Sequence, residues 1–214
     1  MKKTIFVLAA LFFSFSFAAG DDESARYCPM DKGGHWTYSF FSKKEGRTKD
    51  DITCRIGKNE MLGNVLCSVY DIPSRSMTFY DYMDAAGLHV KGAKVRLLIF
   101  GLLNIDVLFK PDVLILKFPI TTGDTWRYKG TASARTMAFI NIDTKITADF
   151  TIKGVEAVDV NGKTFTAYHL AAVASRGWNA EKPVTGDGWI VEDIGLVKGE
   201  TSNSRMELKT YEKD

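Results

Sequence analysis

The chain has 214 residues, 45% of them hydrophobic, and a formal charge of +2. No basic stripe marks a nucleic-acid surface, and past the first twenty residues no run is apolar and long enough to cross a bilayer as a helix.

The N-terminus reads as a secretory leader. Lys2 and Lys3 head an apolar run from Ile5 to Phe13, and small residues close it at Ala18-Ala19-Gly20. Cleavage is expected near Ala19 or Gly20, ahead of the acidic triplet Asp21-Asp22-Glu23. Residues 1–20 are therefore taken as signal peptide and 21–214 as a single β domain, formally neutral once Lys2 and Lys3 are gone. No cysteine stands at the cleavage site, so lipid attachment at Cys28 is not expected. The mature chain should be soluble, periplasmic or secreted, with no transmembrane segment.

Pro29 to Tyr38 is an opening turn into a strand: proline ends pairing, glycine permits the turn, and Trp36 and Tyr38 point to one face. Two strands then flank a hairpin, Ile52 to Ile56 and Val65 to Val69. If Ile56 pairs with Val65, Cys54 lies opposite Cys67, close enough for a disulfide; two buried free thiols are the alternative. Cys28 is the odd cysteine. Gly87-Leu88 opens a further strand. From Val95 to Phe109 the chain is apolar on every face, which fits strands bent at Gly101 or a short helix. Asp112 to Lys117 reads as a buried strand ended by Pro119.

Thr125 to Phe139 and Ile142 to Ile152 read as long strands. Asn161-Gly162 is the type I′ turn of a hairpin inside Thr151 to Ala174. Gly186-Asp187-Gly188 reads as a turn, and so do the acidic pairs Asp50-Asp51 and Glu192-Asp193. The last strand, Ser204 to Glu212, alternates Met206, Leu208 and Thr210 against charged neighbours. The predicted class is mainly β with little helix: a strongly curved antiparallel sheet, as a half-barrel or open barrel.

An internal repeat runs through these elements. Pro29 to Tyr38 recurs as Pro119 to Tyr128, with proline, glycine, tryptophan and tyrosine at equal offsets. Gly87 to Gly92 resembles Gly195 to Gly199. Two related β modules, near 29–92 and 119–199, are expected. Trp36, Tyr38, Trp126 and Tyr128 are read as core wedges.

These residues carry a family resemblance. The chain resembles a group of bacterial exported β-domain proteins through Pro29 to Tyr38, Phe118 to Tyr128, Asn161 to His169 and Trp189 to Lys198. That group looks distantly like the lipoprotein-carrier (LolA/LolB-like) half-barrels. The resemblance implies a curved sheet around an apolar concavity and brings no catalytic residues.

No nucleophile elbow, zinc-helix motif or phosphate loop is present. His35, His89 and His169 are far apart in sequence; His35 should face solvent, and His169 reads as a hydrogen-bonded interior residue. No catalytic residue, metal or cofactor is expected. The excess is apolar, and Leu97, Ile99, Leu102, Leu103 and Phe109 are the candidates for lining a ligand cavity. The expected role is a non-catalytic binding or carrier protein for a lipid-like ligand or lipidated partner. The alternative is an envelope protein that binds another protein through its sheet surface or edge.

Overall fold

The computed structural model describes residues 26–27, 34–97, 103–136, 141–177 and 183–212. Twelve antiparallel strands follow one another: β1 (His35–Ser42), β2 (Arg47–Leu62), β3 (Val65–Ile72), β4 (Met77–Asp84), β5 (Gly87–Leu97), β6 (Leu103–Lys117), β7 (Thr125–Thr136), β8 (Asn141–Val160), β9 (Lys163–Arg176), β10 (Val184–Val191), β11 (Gly195–Thr201) and β12 (Ser204–Glu212). Each pairs with its sequence neighbours, and β1 pairs with β12, so the sheet is a closed barrel. Its curvature continues to full closure instead of stopping at a half-barrel, and no strand is left as a free edge among the described residues.

The period-two alternation sets which side is apolar. In β8, Ile146, Ala148, Phe150 and Ile152 are buried while Lys145 and Thr147 are exposed. Arg127 of β7 pairs with Asp149 of β8 across the outer face at 2.5 Å. A transmembrane barrel has the opposite sense, apolar outside and polar inside. No helix among the described residues is long and apolar enough to cross a membrane.

Eight strands enclose a space that side chains just fill, so twelve leave more to occupy. Large residues supply the volume: Trp36, Tyr38, Tyr70, Phe79, Phe109, Tyr128 and Phe150 join the aliphatic residues in one cluster. The buried polar ends of the Trp-x-Tyr pairs each find a backbone acceptor, as desolvation requires. Trp36 Nε1 donates to the Ile194 carbonyl at 2.8 Å and the Tyr38 hydroxyl to Leu196 at 2.9 Å. Trp126 Nε1 donates to Leu114 at 2.9 Å and the Tyr128 hydroxyl to Pro111 at 3.0 Å. The two matching stretches lead into β1 and β7, and the two Gly-Leu turns into β5 and β11, so corresponding segments stand six strands apart.

The disulfide expectation is corrected. β2 runs on to Leu62 and turns at Gly63-Asn64, with Gly63 at φ +66. Ile56 therefore pairs with Tyr70 instead of Val65, and Cys67 faces Glu60. Cys54 lies opposite Trp36 in the main core, whereas Cys67 packs with Val69 and Tyr80 on the other face of the sheet. Both thiols are free. Two smaller expectations also change: Gly186 to Gly188 lies within β10, and Asp50-Asp51 within β2.

Candidate functional site

The barrel wall is thinnest between β11 and β12. Their ladder has three pairs, Lys198 with Glu207, Gly199 with Met206 and Glu200 with Arg205. Beside β1, β12 continues to Glu212. Beyond the short ladder, side chains take the place of strand partners: Trp36 and Tyr38 reach from β1 to the Ile194 and Leu196 carbonyls. Asn161 Nδ2 donates to the Leu208 carbonyl of β12 at 2.8 Å.

Asn161 arrives there because the β8–β9 hairpin is long. β8 has 20 residues and β9 has 14, against 8 and 7 for β10 and β11. A bulge between Ile152 and Gly154 bends the arm, with Gly154 at φ +154. Asn161 and Gly162 take φ +49 and +79, the positive pair that the type I′ turn needs. Val158 and Val160 near the tip are buried in the main core. Close by, Tyr27 packs edge-on against Tyr168 at 5.4 Å, and Arg26 pairs with Glu192.

Between the arm's tip and β12 lies a groove of about 360 Å³, within the span of small-molecule sites. It is lined by Val160, Asn161, Lys163, Phe165, Ile194, Leu208, Lys209 and Tyr211. Five of the eight are apolar or aromatic, and two are lysines. Lys209 is paired with Asp51 at 2.8 Å. Lys163 holds its ammonium 4.9 Å from the centre of the Phe165 ring and has no carboxylate partner among the described residues. A second groove, of about 220 Å³, shares Asn161 and is lined by Ser39, Phe41, Thr48, Arg205 and Glu207 among others.

Of the candidate cavity residues, Phe109 alone has a described side chain. Phe109 is buried in the core opposite Ala132. Leu97 and Leu103 pair in register as the last residue of β5 and the first of β6, and the expected bend at Gly101 lies outside the described residues. The side chains of those two, and Ile99 and Leu102 entirely, lie outside the described residues.

The three histidines sit on β1, β5 and β9, four strands apart, so the barrel spreads them instead of gathering them. His35 is 3.0 Å from Glu212, and His89 is 3.0 Å from Asp84. His169 is not interior: it lies on the outer face between Asp187 at 2.8 Å and Glu156 at 3.2 Å, stacked on Trp189 at 4.7 Å. Lys198 covers the same indole at 4.9 Å. The partners come from β8, β10 and β11, so the sequence around His169 carries no signal for them. No group of three or more potential metal ligands gathers among the described residues.

No family model and no curated protein matches the chain. Solved structures do. A candidate exported protein with a YmcC-like fold from Bacteroides fragilis is 14% identical, with a TM-score of 0.44, over 86% of this chain and 97% of its own. The hypothetical lipoprotein YmcC from Escherichia coli is 12% identical, with a TM-score of 0.44, over 97% and 95%. A candidate lipoprotein from Parabacteroides distasonis is 13% identical, with a TM-score of 0.50, over 87% of this chain and 98% of its own. At that identity the likeness to the Parabacteroides structure is one of fold.

Proposed function

We propose that the chain is an exported, non-catalytic binding protein for an apolar, lipid-like ligand, and that the ligand occupies the groove beside β12. The observation that carries this reading is the groove itself, whose lining includes Val160, Phe165, Ile194, Leu208 and Tyr211 beside two lysines. The barrel interior is a poorer host, since the large aromatic side chains pack there as one cluster with the aliphatic ones. The leader expected from the sequence, the motif resemblance to lipoprotein-carrier half-barrels and the candidate-lipoprotein description of a fold neighbour agree with an envelope role.

A second reading has its own observation. Met61 and Leu66 face each other on the β2–β3 hairpin and are 61% and 58% exposed. That apolar pair suits docking of another envelope protein on the outer surface. With the barrel closed, recruitment of a strand at a free edge has no support.

Native mass spectrometry of the protein purified from its cell envelope, with solvent extraction, tests the choice. One apolar adduct per chain is expected. A bare mass together with a stoichiometric protein companion would replace the first reading by the second.

A further inference from the structure

We infer that the groove selects a single-chain amphiphile with an anionic head, a carboxylate of fatty-acid type, and that Lys163 supplies the head-group recognition. This deepens the proposed function and rests on it.

Three carbonyls at this seam are already served. The carbonyls of Ile194, Leu196 and Leu208 accept from Trp36, Tyr38 and Asn161. An incoming extended peptide would have to displace these bonds to pair as a strand, because strand addition draws its affinity from unpaired main-chain groups. What remains for a ligand is side-chain surface. Its lining is mixed: Val160, Ile194, Leu208 and Phe165 supply apolar surface, and the two charged residues, Lys163 and Lys209, are both positive. Asp51 answers Lys209 at 2.8 Å. Lys163 is different: among the described residues its ammonium has only the face of Phe165 beneath it, at 4.9 Å. An ammonium beside an apolar trough pairs with an anionic head while the chain covers the trough. A zwitterionic or neutral head gains less from that charge. The groove's volume of about 360 Å³ suits one medium-length chain and is small for a two-chain lipid.

The test is calorimetric titration of the full chain with dodecanoate and, separately, with dodecanol, both below their aggregation limits. Dodecanoate should bind once per chain and more tightly than dodecanol, with an affinity that falls as salt is raised. Lys163→Met keeps the aliphatic stem and removes the charge. It should weaken dodecanoate about fivefold, the upper end for one partly exposed ion pair, and leave dodecanol unchanged. Lys163 is exposed, so the variant should melt with the parent, which a thermal scan verifies. Equal binding of the two probes, or dodecanoate binding indifferent to Lys163→Met, overturns head-group selection while the apolar groove survives. Binding of neither probe overturns the groove as a ligand site altogether.

Discussion

Cys54 and Cys67 show how far one residue's surroundings set its chemistry. Burial pushes the Cys54 thiol up to about 12, against a hydrogen bond with Tyr70 that pulls it down. Burial, then the charge of Asp81, pushes Cys67 up to about 11. Attack on a disulfide reagent requires thiolate, so both should be inert near neutral pH. Under native conditions neither should react with a maleimide or an aromatic disulfide, and both should do so in denaturant. Peptide mapping reads each site separately, and native labelling of Cys54 would contradict its place in the core. The Trp-x-Tyr pairs carry the opposite lesson: large apolar bodies fill the barrel while their polar ends bind carbonyls that strand pairing leaves over.

Among the elements, the two Gly-Leu turns need their glycines. Gly87 has φ +147, and a Cβ there would stand 2.0 Å from the Leu116 carbonyl oxygen. Gly195 has φ +84. Gly46, in the β1–β2 turn, has φ +64 but open space around it. Gly46→Ala should therefore cost about 1 kcal/mol of backbone strain, and Gly87→Ala more than about 2 kcal/mol, because strain and collision add there. Urea denaturation of the two variants compares them directly, and equal midpoints would refute the close approach of β5 to β6. The repeated Gly-Leu pair was legible in the sequence as a turn. That its glycine also abuts a neighbouring strand was not, because the neighbour is 29 residues away.

For the whole molecule, closure gathers ion pairs across strands. Lys43, in the β1–β2 turn, reaches Glu200 of β11 at 2.5 Å and the Thr201 carbonyl at 2.9 Å. That hydrogen bond, with the charge of Lys43 behind it, holds the Glu200 carboxyl below its ordinary 4.5. Arg127 does the same for Asp149. A carboxyl whose folded value lies below its unfolded one binds protons more readily when unfolded. Its contribution is complete above the unfolded value and disappears as pH falls through the folded one. Stability should accordingly decline below about pH 4.5, and Lys43→Met should lower the melting temperature modestly at neutral pH and flatten part of that acid limb, so that parent and variant converge at low pH. Melting temperatures measured from pH 7 to pH 3 check this, and parallel curves for parent and variant would exclude the Lys43–Glu200 bond as a contributor.

The β class, the turn at Asn161-Gly162, the bounds of β12 and the inward Trp-x-Tyr pairs are all properties of neighbouring residues, and sequence alone determined them. Alternation of side chains and the positive φ of a two-residue turn need no distant partner. Closure, the thin β11–β12 seam, the groove beside it, the separate faces of Cys54 and Cys67 and the outward turn of His169 were decided only by tertiary structure. Each depends on which strands pair and where a bulge shifts their register, and one inserted residue is enough to exchange the inner face for the outer. β12 shows the boundary within one strand: Met206 and Leu208 alternate inward as the sequence predicts. The register shift against β1 between Thr37 and Tyr38 then carries Thr210 out and lays Tyr211 against Trp36, stacked at 5.0 Å.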